Sequence, residues 1–312
     1  MRPAAAAPRV PGDAAVSSSL VVPEGSVARA AESHSAGRHH AEVLLFRTLL
    51  SALQFFPPIA SRVAYRRFFR PRRSRPRKVE GLRTYDLAAQ DDTVRVYEGG
   101  EGPAVLLVHG WESSVARLEV LLHTLIAKDF RVVAFDMPAH GHSPAEDTDI
   151  GEITQVIVTL AESAGPFVAA IGHSFGGVCL ANAIRAKLKV GRLVLFSTPS
   201  SLSGMIDKYC RVLGIGRATK VRLVRAIEER LASCELEREF DLRPTLRDSG
   251  VPTLIIHDRR DPVVPFSEAE ELSGARADIQ LFVTEDLGHS GVVRDRRTIE
   301  KCLSFISDEH QR

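Results

Sequence analysis

The chain of 312 residues is predicted to adopt an α/β fold. The expected architecture is a mostly parallel central sheet of about eight strands with helices on both faces, preceded by a helical N-terminal extension. Three observations lead there. After Glu80, short apolar runs alternate with amphipathic stretches of helical length, the order produced when parallel strands are joined by crossover helices. Several runs, Ala104–Val108 above all, are apolar without interruption, as in strands buried on both faces. Finally, 44% of the residues are apolar, enough to fill one large core or two small ones.

Residues 1–40 are rich in Ala, Pro, Ser and Gly and lack apolar periodicity, which predicts a disordered tail. Its apolar runs, Ala4–Ala7 and Leu20–Val22, are too short for the core of a secretory signal. His34, His39 and His40 lack the flanking ligand spacing of a metal site. From Ala41 to Phe56, Leu44, Leu45, Leu49, Leu53 and Phe56 recur at three-to-four spacing, predicting a helix that Pro57 and Pro58 stop. A second short helix follows, with Ile59, Val63 and Phe69 on its apolar side. In Arg66–Lys78, eight of thirteen residues are basic. Residues 41–80 thus form a basic, amphipathic extension with two readings. In one, apolar helices enter a lipid boundary while arginines meet anionic head groups. In the other, the helices dock on the following domain and the basic run is a solvated linker. No stretch supplies the ~18 uncharged apolar residues that a membrane-spanning helix needs.

Residues 81–312 hold the α/β body. Leu82–Leu87 and Thr93–Tyr97 read as strands around a turn at Asp91–Asp92, followed by the buried strand Ala104–Val108. A helix is expected over Ser114–Lys128, then a strand over Arg131–Phe135. Asp149 and Glu152 are spaced as a capping box for the next helix, to Ser163. Phe167–Ile171 is a strand running into a glycine-rich turn and a helix to about Leu188. Leu193–Phe196 and Thr253–Ile256 are buried strands separated by about fifty residues of helical pattern. Ser267 and Glu270 form a second capping box, and Ile279–Val283 and Arg297–Ile306 are the last strand and helix.

Charge and cysteines narrow the function classes. Residues 1–80 carry 14 Lys and Arg against 5 Asp and Glu, leaving 27 against 34 for the remainder. A mildly acidic body is not one that grips nucleic acid. Cys179, Cys210, Cys234 and Cys302 show no C-x-x-C spacing, so neither a zinc ribbon nor a disulfide framework is expected, and a reducing, cytoplasmic compartment fits.

Gly172-His173-Ser174-Phe175-Gly176 matches G-x-S-x-G between a predicted strand and a predicted helix. A serine on that sharp turn has a strained backbone that flanking glycines permit, and the turn lifts its hydroxyl out of the sheet. A glycine-rich turn with a capping serine would look the same locally, so the rest of the machinery decides. Serine needs a base to take its proton and a carboxylate to orient the base. Asp258 and Asp261 follow Thr253–Ile256, and Gly288-His289 follows the last strand. Asp261, further along its loop, is the candidate acid, whereas Asp258 at the strand end is expected to anchor the loop. His289 is the candidate base. Two amides must face the developing oxyanion: the N–H of Phe175 and, from the His109-Gly110-Trp111 loop after Ala104–Val108, the N–H of Trp111. No metal or organic cofactor is required.

With these motifs and Asp136-Met137-Pro138-Ala139-His140-Gly141-His142-Ser143, the chain from Leu82 to Ile306 resembles the α/β-hydrolase superfamily. The resemblance implies Ser174 as nucleophile, Asp261 as acid and His289 as base, with Asp136, His140 and His142 structural. It also implies a small helical cap over Ser200–Gly250. Cap cations Lys208, Arg211, Arg217, Lys220, Arg222, Arg225 and Arg230 either favour an acidic acyl group or form a solvated face balanced by Glu228, Glu229, Glu235, Glu237 and Glu239. The expected function is a serine hydrolase cleaving a small-molecule ester or thioester through an acyl-enzyme. Acyl transfer or carbon–carbon hydrolysis on the same triad, and a non-catalytic membrane-associated binding protein, are the alternatives.

Overall fold

A computed structural model describes residues 41–73, 76–89, 92–232, 236 and 240–307. The expected disorder of 1–40, the histidines at 34, 39 and 40, the turn at Asp91, Cys234 and the acidic residues 235, 237 and 239 lie outside the described residues. The chain divides into two units, 1–46 and 47–312. Of the first only 41–46 are described, and they are helical; in the second, 47–53 are helical as well.

Eight strands form one sheet in the order β1-β2-β4-β3-β5-β6-β7-β8. The strands are β1 (Arg83–Ala89), β2 (Asp92–Gly99), β3 (Ala104–Val108), β4 (Arg131–Phe135), β5 (Phe167–His173), β6 (Val190–Phe196), β7 (Thr253–Asp258) and β8 (Gln280–Thr284). β1 and β2 are an antiparallel hairpin, and β2 is antiparallel to β4. Every pairing from β4 to β8 is parallel. All five residues of β3 are buried, which is why its sequence shows no alternation. One sheet face, including Val105, Leu107, Ile171 and Phe196, packs with Leu121, Leu122 and Leu125 of one helix and Ile299, Cys302 and Phe305 of another.

After the helical residues up to 53, the helices are α1 (Pro57–Phe69), α2 (Glu119–Ile126, after a 3-10 turn at Val115–Leu118), α3 (Ile150–Ala164), α4 (Phe175–Arg185), α5 (Leu202–Leu213), α6 (Arg217–Leu231), α7 (Leu242–Asp248), α8 (Phe266–Ser273), α9 (Gly288–Gly291) and α10 (Arg296–Ser307). Asp149 caps α3 by accepting from the N–H groups of Gly151 and Glu152. The second expected capping box does not form. α8 starts at Phe266 behind Pro265 with no side-chain cap, so Ser267 is already inside its first turn. Between β6 and β7 lies the helical insertion α5–α7, its first helix capped by Ser201 and ended by Gly214 at φ 66°. Cys179, Cys210 and Cys302 are buried free thiols.

α1 differs from expectation in its facing. Its buried side is Ala60, Ser61, Ala64 and Phe69, while Ile59 is exposed. Small residues allow the helix close approach to α6, and the tyrosine hydroxyl of Tyr209 donates to the Ala64 carbonyl at 2.8 Å. The basic run beyond it is exposed, and several of its side chains are paired. Arg67 pairs with Glu112, Arg70 with Glu146 and Arg77 with Glu119, and Arg73 donates to the carbonyls of Ser143 and Ala145.

Candidate active site

β5 ends at His173 and α4 begins at Phe175, leaving Ser174 alone on the turn at φ 53°, ψ −124°. That positive φ is costly for a residue with a Cβ and persists only where neighbours hold it. The Ser174 N–H donates to the Phe196 carbonyl at 2.8 Å, and the Gly177 N–H donates to the Ser174 carbonyl at 3.0 Å. The flanking glycines are steric requirements. A Cβ on Gly172 would lie 2.6 Å from the backbone N of Gly177, and one on Gly176 would lie 2.5 Å from the His109 carbonyl oxygen. The Phe175 N–H, first in α4, is among the donors a helix leaves unpaired at its positive end.

Asp261 and His289 come together from the loops after β7 and β8. The His289 Nδ1–H donates to Asp261 Oδ2 at 2.8 Å, and Asp261 Oδ1 accepts the N–H groups of Val263 and Val264 at 2.7 and 2.9 Å. Burial by itself raises a carboxyl pKa, but the hydrogen bond and charge of His289 and the two amides outweigh it and bring Asp261 to about 2. The bond on Nδ1 leaves the His289 Nε2 lone pair free to accept a proton. Among the described residues, no hydrogen bond joins the Ser174 hydroxyl to the His289 ring. Asp258 is tied into the loop itself, accepting from the Thr284 hydroxyl at 2.8 Å and the N–H groups of Leu287 and Arg260 at 3.0 Å each.

His173, the variable position of G-x-S-x-G, is a contributor that the sequence reading passed over. Its Nε2–H donates to the His289 carbonyl at 2.9 Å, so the residue beside Ser174 fixes the backbone of His289. Burial drives its pKa down to about 3. A polar side chain at the end of a strand buried at all but Val168 was the one available signal.

The loop after β3 lies against the elbow: a Cβ on Gly110 would stand 3.1 Å from Ser174 Cβ. His109 is fully buried, donating from Nδ1 to the Gly110 carbonyl at 2.8 Å and accepting the Met137 N–H on Nε2 at 3.0 Å. The Trp111 indole meets the Phe175 ring edge-on at 5.4 Å and His140 at 4.9 Å. Asp136 accepts from the Val115 N–H, the Tyr97 hydroxyl and the His142 N–H at 2.8 to 2.9 Å, holding the loops after β3 and β4 together. His140 accepts the Glu112 N–H at 3.0 Å and donates to the Pro138 carbonyl at 2.9 Å. His142 hydrogen-bonds the Tyr97 hydroxyl at 2.9 Å.

The insertion's cations divide. Lys220 pairs with Asp207 and Arg225 with Glu229, and Arg230 binds Asp147, Asp149 and Glu152 while lying 4.3 Å over the Phe69 ring. Lys208 alone of these has its pKa lowered, by burial, within electrostatic reach of Asp261 and Glu268.

Comparison with known proteins gives consistent matches. A family model described as "Alpha/beta hydrolase family" matches residues 105–301. The pimeloyl-[acyl-carrier protein] methyl ester esterase of Vibrio atlanticus is 26% identical over 258 residues, covering 69% of this chain and 98% of that protein. Among solved structures, an esterase from Exiguobacterium antarcticum superimposes with a TM-score of 0.57 at 20% identity, over 72% of this chain and all of that one. A membrane phospholipase A superimposes with a TM-score of 0.59 at 18% identity, over 88% of this chain and 100% of that one. That larger share reaches into residues ahead of β1.

Proposed function

The chain belongs to the alpha/beta hydrolase family, and from that premise we propose that it is a serine hydrolase cleaving a small-molecule carboxylic ester or thioester through an acyl-enzyme. The 2.8 Å pairing of Asp261 with His289 carries the assignment, because it leaves the free imidazole nitrogen as the proton acceptor a serine nucleophile needs. The strained backbone of Ser174 supports it, as does the similarity to an esterase that acts on a methyl ester.

In the first half-reaction Ser174 Oγ attacks the carbonyl carbon while its proton passes to His289 Nε2. The charge that develops on the carbonyl oxygen is met by the N–H groups of Trp111 and Phe175. Collapse breaks the bond to the alcohol or thiol, which leaves with the proton from His289. Water then attacks the acyl-enzyme, gives its proton to His289 and releases the carboxylic acid and free Ser174. Asp261 stays ionised throughout, fixing the tautomer and stabilising the imidazolium. The helical insertion serves as a small cap over this pocket.

Intact-mass labelling with a fluorophosphonate, with a p-nitrophenyl ester series of rising chain length, tests the reading. Ser174→Ala is expected to lose labelling and to lower kcat by roughly 10⁴-fold or more. Folded wild-type protein that takes no label would sink the proposal. Labelling without ester turnover would move the assignment to acyl transfer or carbon–carbon hydrolysis.

Peripheral contact with an anionic membrane is proposed for the extension. Phe55 is 86% and Phe56 62% exposed, with Leu49 and Ile59 also exposed. Arg62 and Arg66, exposed, follow Ile59 at three and seven residues along α1 and share its outer face. Among the described residues no helix is long and apolar enough to cross a membrane. In liposome flotation the protein should rise with vesicles containing phosphatidylserine and not with neutral ones, and Phe55→Ser with Phe56→Ser should abolish the effect. Equal flotation of that variant argues against it.

A further inference from the structure

Glu112 directly follows Trp111, and its backbone is in the left-handed region at φ 54°. For a residue with a Cβ this conformation persists only when surrounding contacts over-determine it. The contacts come from an unexpected quarter. Glu112 Oε1 accepts from Arg67 Nη2 at 2.7 Å and from the Arg72 N–H at 3.0 Å, both in the segment ahead of the sheet. The Glu112 N–H donates in turn to His140 Nε2 at 3.0 Å. On the other side of Trp111, the Gly110 carbonyl accepts from His109 Nδ1 at 2.8 Å. That carbonyl and the Trp111 N–H belong to one rigid peptide plane, so the amide is flanked by two fixed points. One of them is held by residues 67–72.

The segment can impose geometry because it is fastened along its length. The Ala64 carbonyl accepts from the Tyr209 hydroxyl at 2.8 Å, and the Phe69 carbonyl accepts the Thr148 N–H at 3.0 Å. Arg67 also donates to the Arg70 carbonyl at 3.0 Å, and Arg73 reaches the Ser143 carbonyl at 2.7 Å. The Arg67–Glu112 pair is only partly exposed, at 33% and 20% of the two side chains.

We propose that Arg67 is a positioning residue that acts through Glu112 to hold the Trp111 N–H where the oxyanion forms, making the segment 57–73 part of the catalytic scaffold. The inference rests on the serine hydrolase reading above. It assigns the arginine a kinetic role, whereas a docking contact would contribute only to stability.

The test measures the fluorophosphonate labelling rate, kcat and KM for a p-nitrophenyl ester and Tm, with kcat normalised to titrated active sites, for the wild type, Arg67→Met, Arg67→Lys and Glu112→Gln. Arg67→Met should lower kcat and the labelling rate together by roughly 10- to 100-fold, with KM within about 2-fold, as expected when an oxyanion donor is displaced and not deleted. Arg67→Lys should restore part of the loss. Glu112→Gln, whose amide oxygen still accepts, should fall between Arg67→Met and the wild type, and Arg296→Ala, at an 89% exposed side chain of α10, should match the wild type. Wild-type kcat and labelling rate in Arg67→Met, whatever its Tm, would overturn the proposal, as would a rise in KM at unchanged kcat. Should Arg67→Met not fold, Arg67→Lys and Glu112→Gln decide by the same criterion. A wild-type enzyme that takes no label removes the hydrolase reading and this inference with it. A labelled wild type with unaffected variants removes the inference alone.

Discussion

Asp261 has no exposed side-chain surface, yet it is held ionised because each oxygen has a donor. Replacing it with Asn keeps the shape and removes the charge that fixes the His289 tautomer, so Asp261→Asn should lower kcat by about 10³- to 10⁴-fold while leaving KM nearly unchanged in steady-state ester assays. The same carboxylate affects stability. Its folded pKa, about 2, lies below the usual 3.8, so its contribution is complete above pH 3.8 and disappears as the pH falls toward 2. The shift corresponds to something on the order of 2 kcal/mol, measurable at pH 7 as the urea-midpoint difference between the wild type and Asp261→Asn. Chain order placed Asp261 and His289 on the loops after β7 and β8. What it lacked were the links that cross the sequence: His173 to the carbonyl of His289, 116 positions away, and Arg67 to Glu112, 45 positions away. Local pattern contains no term for such pairs.

At the scale of elements, the buried strands were the most legible parts. β3 and β4 occupy Ala104–Val108 and Arg131–Phe135, the stretches expected, because burial on both faces leaves a continuous apolar signature. Caps were less so. Asp149 closes α3, but Pro265 brings α8 to start at Phe266, which removes Ser267 from its expected capping position. Ile59 faces solvent because α1 approaches α6 through alanines, a choice that helical periodicity cannot distinguish. The strand–turn–helix junction at Ser174 is the element with least tolerance. A methyl group on Gly172 meets backbone atoms of Gly176 and Gly177 within 2.6 to 2.8 Å, and backbone cannot swing away as a flexible side chain can. Gly172→Ala should therefore cost about 1–3 kcal/mol, seen as a Tm lower by roughly 2–10 °C, with activity lost beyond the loss of folded protein. A Tm within 1 °C of wild type would contradict the crowding.

Across the whole molecule, four neutral histidines are built into the framework around the site. Burial lowers the pKa of His109, His140, His173 and His257, to about 3 for His140 and His173. The unfolded chain, with ordinary values near 6.5, binds more protons than the folded one below that pH. Stability is therefore complete above about pH 6.5 and falls as the solution is acidified below it, down to about 3 for His140 and His173, by as much as ~1.4 kcal/mol per pH unit for each of these two. Urea midpoints should be flat from pH 8 to 7 and drop steeply below 6; a constant midpoint down to pH 5 would rule this out. None of this was readable from a histidine count, since protonation depends on burial that only the assembled loops create. The thiols have a different consequence. Cys179, Cys210 and Cys302 are buried, and burial raises the pKa of each, that of Cys302 to about 12, so maleimides have little thiolate to attack in the folded protein. With Cys234 changed to Ser, a cysteine introduced at the exposed position of Phe55 becomes a single attachment point for an environment-sensitive fluorophore. A blue shift of its emission on mixing with vesicles would then read out bilayer contact directly, on a molecule whose nucleophile remains free for its own covalent probe.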